Sequence, residues 1–375
     1  MNKVEFINIQ NLIIARENVG LSTLVASKKI SQAKVDLIAK WESGEDLPTW
    51  VQVSKLAKIY YTQELLFFSK DLIERNKSIP DYRIIEEVEE DEGVNKLINL
   101  VIKRQRWLEI RLKKDGKKNT LLGSGKNFDD PERLAVFIKE KLNISIKDIK
   151  KFSGEYSSRK VLNYLIGRAE DHGIFIGKTI SYHKIGVRAM RGLFVSNEYC
   201  PFIILNRKDA VAAQIFSLIH ELAHLFRKTE AISNTLYFRQ TNAKVDKEEI
   251  FCNKVAAELL LPKNDLTQPF YDKSDIDALA ETYKVSKLVI FYRLKDLNKI
   301  RKERSWSLEQ EIKDETEHNL IAKNNKKKES GGNYVNNMKD SNGGLYNRVV
   351  ASYYFENKIG YIEASNLLSF SVESV

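Results

Sequence analysis

A pair of histidines four positions apart constrains this chain more than any other feature. The run His-Glu-Leu-Ala-His at residues 220–224 lies inside a stretch, 211–226, whose apolar residues recur at helical spacing. On a helix of about 3.6 residues per turn, His220 and His224 lie on one face, so both imidazoles can reach a single metal ion. Glu221 lies about 100° around the helix, where a general base must lie to take a proton from metal-bound water. The segment therefore predicts an apolar helix that carries a metal site.

Chance is a poor explanation of this run. With five histidines in 375 residues, the expected number of accidental His-Glu-x-x-His matches in the whole chain is about 0.005. The alternative interpretation is a pair of solvent-facing or hydrogen-bonded histidines on an ordinary helix. The metal site is the preferred interpretation.

A catalytic zinc ion needs a third protein ligand and leaves its fourth position to water. The other histidines, His172, His183 and His318, have no spacing that recommends them. Glu248 and Glu249 open the next apolar helix, and a carboxylate there would complete a His, His, Glu set. The alternative is an exposed acidic side chain that interacts with the helix dipole. Spacing alone does not choose between the two glutamates.

Composition excludes several classes of protein. Only two cysteines are present, so a disulfide scaffold is excluded and a reducing compartment is expected. Residues 1–15 lack the apolar region of a secretory signal, and no later stretch approaches the roughly 18 to 20 apolar residues of a membrane-spanning helix. The 61 Lys and Arg against 51 Asp and Glu leave a formal charge of +10, which points toward acidic partners. We expect a cytoplasmic protein with no membrane partner.

Periodicity predicts a mostly helical α+β protein. Short β-rich runs at 174–176, 192–195 and 201–205 predict a small sheet of three strands. Helical periodicity predicts helices at 131–142, 161–172, 210–226, 247–261, 275–283 and 286–297. Residues 299–344, rich in Lys, Glu, Asn and Gly, are typical of a flexible linker.

The central part of the chain resembles the ImmA/IrrE family of zinc metallopeptidases. The resemblance is carried by residues 216–225, by the apolar strand at 202–206 that precedes them, and by residues 249–262 that follow. It implies a zincin-like metallopeptidase fold, a Zn²⁺ cofactor and peptide-bond hydrolysis, with Glu221 as the catalytic base and His220 and His224 as zinc ligands.

The family's second motif, E-x-x-A-N-x-F-A-A-x-L-L-x-P, matches residues 249–262. In this register the resemblance implies that Glu249, rather than Glu248, is the third zinc ligand. The chain departs from the motif at Cys252, where Ala is usual, and at Val255, where Phe is usual. Both replacements are apolar and leave the implied ligands untouched.

The resemblance also covers the ends of the chain. Residues 21–60 resemble a helix-turn-helix of the xenobiotic-response-element (XRE) type, in the version fused ahead of these peptidases, 79–83 resemble the connector of such fusions and 345–368 their C-terminal extension. The expected organisation is an XRE-type domain at 1–78, a connector and basic helical segment at 79–130, the metallopeptidase domain at 131–298, a charged flexible linker at 299–344 and a C-terminal helical extension at 345–375.

The second helix of a helix-turn-helix enters the major groove of DNA. Here it is expected at residues 31–41, with Ser31 as its N-cap and Gly44 as the left-handed residue that closes it. Lysines at its start would contact phosphates and a glutamine there would read adenine. The candidate DNA contacts are Lys28, Lys29, Gln32 and Lys34.

Charge argues against DNA binding by this domain. Residues 1–80 hold 11 Lys and Arg against 9 Asp and Glu, a net charge of +2, and Asp36 and Glu42 would repel phosphates if they faced DNA. The competing interpretation is a domain that docks onto a related repressor or onto the peptidase itself.

The expected function is a zinc-dependent endopeptidase. The resemblance implies that its protein substrate is an XRE-family repressor, whose cleavage relieves repression of stress-response or mobile-element genes. The strand at 202–206 would hold an extended substrate by strand addition, or it is an ordinary core strand. Two other functions stay open: a DNA-binding regulator or antitoxin-like protein with a structural or inactive zinc site, and a protein that cuts its own linker.

Overall fold

The structure, a computed structural model, describes residues 3–60, 62–73, 75, 92–116, 118–180, 185–187, 189–229, 231–233, 247–326 and 333–375. The described residues form two compact units. The first contains the residues up to Arg106 together with Ile185, and the second contains the rest. Among the described residues, no helix is both long and apolar enough to cross a membrane.

The first unit is a small all-helical bundle. Its helices are α1 (Ile9–Asn18), α2 (Thr23–Ile30), α3 (Leu37–Ser43), α4 (Trp50–Ile59) and the first part of α5 (Glu92–Lys114), with a 3₁₀ turn at Glu64–Phe68. Trp41 is buried at its centre among apolar side chains of the other helices, including Leu12, Val53 and Leu56. Gly44 ends α3 in the left-handed conformation, as predicted, with φ at 76°.

The predicted helix at 31–41 is wrong at its start, since α3 begins only at Leu37. Ser31 does not cap α3; it ends α2 with extended backbone, and its N–H bonds to the carbonyl of Ser27. The later start of α3 has a physical reason in its contact with α2. The buried hydroxyl of Ser27 in α2 accepts a 2.9 Å hydrogen bond from the N–H of Ile38. That bond satisfies a first-turn N–H of α3 from a neighbouring helix. Residues 32–36 form the turns between the two helices.

The second unit is the larger, mixed one. Its helices are α6 (Pro131–Lys141), α7 (Ile146–Lys151), α8 (Ser157–Glu170), α9 (Val211–Arg227), α10 (Lys247–Leu260), α11 (Lys273–Tyr283), α12 (Lys287–Asp296), α13 (Lys302–Lys326), α14 (Tyr334–Asn342), α15 (Gly344–Phe355) and α16 (Tyr361–Leu368). The end of α5, from Trp107, also belongs to this unit. The prediction of a mostly helical α+β protein is confirmed.

A four-stranded sheet supports the central helix. It consists of β1 (Phe175–Lys178), β2 (Gly192–Val195), β3 (Phe202–Leu205) and β4 (Ala231–Ser233), in the order β1-β3-β2-β4. β1 and β3 are parallel, and the other two pairs are antiparallel. α9 packs against β2 and β3 on one side and against α8 and α10 on others.

The strand at 202–206 cannot hold a substrate by strand addition. β3 is an inner strand: Phe202 pairs with Phe175 of β1 on one side and with Val195 of β2 on the other. All four residues of β3 are buried. The alternative interpretation, a core strand, is correct.

The predicted flexible linker at 299–344 is wrong over α13 and α14, while residues 327–332 lie outside the described part of the chain. Leu308 and Ile312, one helical turn apart on α13, are buried beside α12. Burial of two such side chains contributes about 1.5–3 kcal/mol each, which holds an otherwise charged helix in place. α14 packs on β1, where the Ser341 hydroxyl donates to the carbonyl of Lys178 at 2.7 Å.

Candidate metal centre

α9 brings the two histidines of the sequence motif together inside the protein. Every residue of this helix from Gln214 to Phe226 is buried, as expected for a helix that is apolar on nearly all sides. His220 and His224 project one turn apart from the same face, and their Nε2 atoms are 3.1 Å apart. The alternative of two solvent-facing histidines does not hold, because His220 is 4% exposed and His224 is fully buried.

α10 supplies the third group. The carboxylate of Glu249 faces both imidazoles, with Oε1 at 3.1 Å from Nε2 of His224 and Oε2 at 3.3 Å from Nε2 of His220. Among the described residues, this is the one group of three His, Cys, Asp or Glu side chains whose ligand atoms all lie within 4.8 Å of one another.

The geometry of this group fits a zinc ion. Ligand atoms about 2.0–2.1 Å from a tetrahedral zinc lie about 3.3 Å from one another. The 3.1 Å between the two Nε2 atoms is close to that edge length, and each Nε2 has one Glu249 oxygen at a similar distance, Oε1 at 3.1 Å for His224 and Oε2 at 3.3 Å for His220. Two imidazole nitrogens and one carboxylate are also a donor set that catalytic zinc uses.

The structure distinguishes the two adjacent glutamates that spacing leaves open. Glu248 points away from the histidines and forms a two-pronged ion pair with Arg227, the last residue of α9, at 2.8 and 3.1 Å. Glu249 turns to the histidines. Sequence spacing contains no sign of the Arg227 pair, because that pair depends on how α9 and α10 pack.

Glu221, the proposed base, is fully buried and lies against the first residue of β2. A Cβ atom at Gly192 would overlap the Glu221 carboxylate, with the Glu221 Cγ at 2.9 Å. Glycine is therefore required at position 192 for the carboxylate to lie where it does. Gly192 is not among the site residues expected from the sequence, because its only signal there is a glycine at the start of a buried strand.

Two further side chains lie beside the histidine rings. Lys228, in the left-handed conformation, ends α9, and the N–H of the next residue, Thr229, bonds to the carbonyl of His224 at 3.0 Å. This helix end places the Thr229 hydroxyl 2.9 Å from Nδ1 of His224. With Nδ1–H donating to Thr229, Nε2 keeps the lone pair that a metal ligand needs. Asn253 of α10 adjoins His220, and its side chain acts to raise the pKa of that imidazole.

The three groups perturb one another's protonation. Burial alone would raise the pKa of Glu249, but the two neighbouring histidines outweigh it and lower that pKa well below its usual range. Burial lowers the pKa of His224. Burial also acts to lower the pKa of His220, but the Glu249 carboxylate outweighs it and the net shift is upward. An ionised Glu249 is therefore favoured, as a metal ligand requires.

The remaining candidate residues lie elsewhere. His172 bonds through Nδ1 to the carbonyl of Arg168, and His318 lies exposed on α13. His183 is outside the described residues. None of these therefore supplies a described ligand to the metal centre.

The candidate DNA contacts are on the first unit. Lys28 and Lys29 are exposed in the last turn of α2, and Gln32 and Lys34 are exposed in the turns that follow rather than on a recognition helix. Gln32 was expected at the start of the recognition helix, from where it would read a base, and the structure does not place it there. DNA contact by these four residues stays a prediction.

A buried His, His, Glu group with a second glutamate beside the first histidine defines a site of the metallopeptidase type. Residues 169–295 match the model of peptidase family M78, described as the IrrE N-terminal-like domain. The matched stretch contains the four site residues and all four strands. This match supports a peptidase of the IrrE/ImmA kind and does not extend to the helices of the first unit. Comparison of the chain with curated proteins and with solved structures gave no match to either.

Proposed function

We propose that this protein is a zinc-dependent endopeptidase that cleaves an XRE-family repressor. The observation that carries the proposal is the buried group of His220, His224 and Glu249, with Glu221 beside it, inside the stretch that matches a peptidase family. A zinc ion held by these three residues would supply Lewis acidity, which lowers the pKa of water and polarises the scissile carbonyl.

Glu221 has the position and the environment of a proton carrier. Its carboxylate follows the ligand His220 directly in α9 and is shielded from solvent by β2. It would take the proton from the attacking water and deliver it to the departing amide nitrogen, so that one carboxylate serves as base and then as acid. A purely structural metal site has no use for such a carboxylate, which disfavours the inactive alternative.

The edge of the sheet offers a place for an extended substrate. β4 pairs with β2 on one side, and no described residue pairs with it on the other. A peptide that adds beside β4 would satisfy backbone N–H and C=O groups there, which is a common way to bind an extended chain. This role passes to β4 because β3 is an inner strand.

The choice of substrate rests on the resemblance of the chain to ImmA/IrrE peptidases fused to XRE-type domains. Under this proposal the protein works in the cytoplasm, where a repressor would bind DNA. The first unit would bring the peptidase to its target, either through DNA near the operator or through the repressor itself.

The experiment is cleavage of an XRE-family repressor, sought among the genes beside this one, with zinc and with chelator. Glu221→Gln should keep one zinc per chain and lose cleavage by about 10²- to 10⁴-fold, since it removes the proton carrier and leaves the ligands. Glu249→Gln should lose zinc. Glu258→Gln changes another buried carboxylate of α10, one that pairs with Arg293, and is the matched control that should keep its zinc. Cleavage at the native rate by Glu221→Gln would refute the assignment of the base.

A further inference from the structure

The metal centre depends on how two helices are held together. His220 and His224 come from α9, whereas Glu249 comes from α10, which begins twenty residues after α9 ends. A small rotation of α10 about its own axis would move the Glu249 carboxylate off the imidazoles. Some contact at this end of the two helices must therefore fix that rotation.

Arg227 makes such a contact. Its Nε and Nη2 donate to the two carboxylate oxygens of Glu248 at 2.8 and 3.1 Å, and its Nη1 donates to the carbonyls of Phe128 and Lys126 at 2.7 and 2.9 Å. The guanidinium also lies 4.6 Å over the ring of Phe251 in α10. One side chain thus joins the end of α9, the start of α10 and the loop before α6.

The planar fork of an arginine fixes orientation as well as distance, because two parallel hydrogen bonds to one carboxylate resist rotation. Neighbouring residues on a helix project about 100° apart. When Arg227 holds Glu248 on one side of α10, Glu249 is turned toward the histidines. Phe251, stacked on the same guanidinium, resists rotation of α10 in either direction.

We propose that Arg227 is a positioning residue for the metal centre, which sets the rotation of α10 that presents Glu249 to His220 and His224. This inference rests on the proposed function, since it assumes that the three residues bind zinc. A merely stabilising ion pair would affect the folding of the chain and leave its metal site unchanged, so the two roles can be separated.

The test measures zinc affinity of the full chain by competition with a chelator, and the visible absorption of the Co²⁺-substituted protein, which reports ligand geometry. Arg227→Gln should weaken zinc binding about 10-fold or more and change the Co²⁺ spectrum. Arg227→Lys, which keeps the charge and loses the fork, should recover the affinity only in part.

Arg16→Gln is the matched control. Arg16 also forms a two-pronged pair, with Glu42 at 2.6 and 2.9 Å, and also donates to a backbone carbonyl, that of Leu21, but it belongs to the first unit. Its exposure is similar, at 13% against 17% for Arg227. We expect Arg16→Gln to lower the melting temperature and to keep wild-type zinc affinity and the wild-type Co²⁺ spectrum.

The outcomes separate the two hypotheses. A wild-type chain that binds no zinc overturns the proposed function and this inference with it. A wild-type chain that binds zinc, together with an Arg227→Gln chain of equal affinity and unchanged Co²⁺ spectrum, overturns the inference alone. Weaker binding in Arg227→Gln, absent in Arg16→Gln, supports it even where both variants melt at a lower temperature.

Discussion

A single methyl group added at Gly192 should separate catalysis from metal binding. In Gly192→Ala the new Cβ would overlap the Glu221 carboxylate and lie 2.9 Å from its Cγ. Ordinary contacts between such atoms begin near about 3.5 Å, so the Glu221 side chain must move by roughly 0.5–1 Å. The neighbouring backbone of β2 cannot yield easily, because this strand is paired on both sides.

A displacement of about 1 Å in a reacting group costs about 10²-fold in rate. We therefore expect Gly192→Ala to lower kcat for repressor cleavage by about 10²-fold, which corresponds to about 2.7 kcal/mol of transition-state stabilisation. The atoms nearest the added methyl group all belong to Glu221, which is not one of the three ligands. Zinc stoichiometry should therefore stay at one per chain.

The assay is cleavage of the same XRE-family repressor, with zinc content measured on the same samples. Gly177→Ala is the matched control, because a Cβ there would also crowd its neighbours, Ile204 Cδ1 and the carbonyl of Ser341, both at 2.8 Å, but in β1 and away from Glu221. Overpacking should destabilise either variant by about 1–3 kcal/mol. Native kcat in a folded, zinc-loaded Gly192→Ala chain would refute the reasoning that Glu221 works from its observed position.

Three further outcomes are expected. Thr229→Val should weaken zinc binding about 10-fold, because it removes the hydrogen bond to Nδ1 of His224, and Thr229→Ser should restore the affinity. Chelator competition measures that affinity, and a Val variant that binds zinc as tightly as wild type would contradict the role of the bond. Burial raises the pKa of Tyr283 to about 12, so the contribution of its neutral hydroxyl to stability is present below pH 10 and is lost as the pH rises toward 12. In urea unfolding, the free energy of unfolding of Tyr283→Phe should therefore fall less over that pH range than that of the wild type. If the first unit binds DNA, the double variant Lys28→Ala and Lys29→Ala should weaken a mobility shift of the full chain and its salt dependence, and an unchanged shift would move the contact elsewhere.

The site helices could be predicted closely because their signals are local. The apolar periodicity around the histidine pair is continuous, and the helix expected at 210–226 is observed at Val211–Arg227. The helix expected at 247–261 is likewise observed at Lys247–Leu260. Both helices are buried, so local pattern and tertiary packing favour the same structure.

The sequence predictions were wrong or incomplete where the structure of a segment depends on residues in other elements. The start of α3 depends on the hydroxyl of Ser27 in another helix, and no local capping signal reveals that bond. Residues 299–344 have a charged composition, so the sequence prediction placed little weight on Leu308 and Ile312, two apolar side chains of α13 that are buried beside α12. Gly192 acquires its importance only when β2 is brought against α9. In each case the deciding partner lies in another element, so periodicity could not reveal it.

The position of α14 on β1 has a consequence for how this chain is made. The stretch that matches the peptidase family ends at residue 295, yet the outer side of β1 is covered by α14, through Ser341 and through the ion pair of Lys178 with Asp340 at 2.7 Å. An uncovered strand edge invites pairing with another chain. During synthesis β1 leaves the ribosome long before α14, so the nascent sheet has an open edge until the C-terminal helices emerge. A fragment that ends at residue 298 would keep that edge open permanently. The smallest fragment of this chain that resists aggregation should therefore include its last helices.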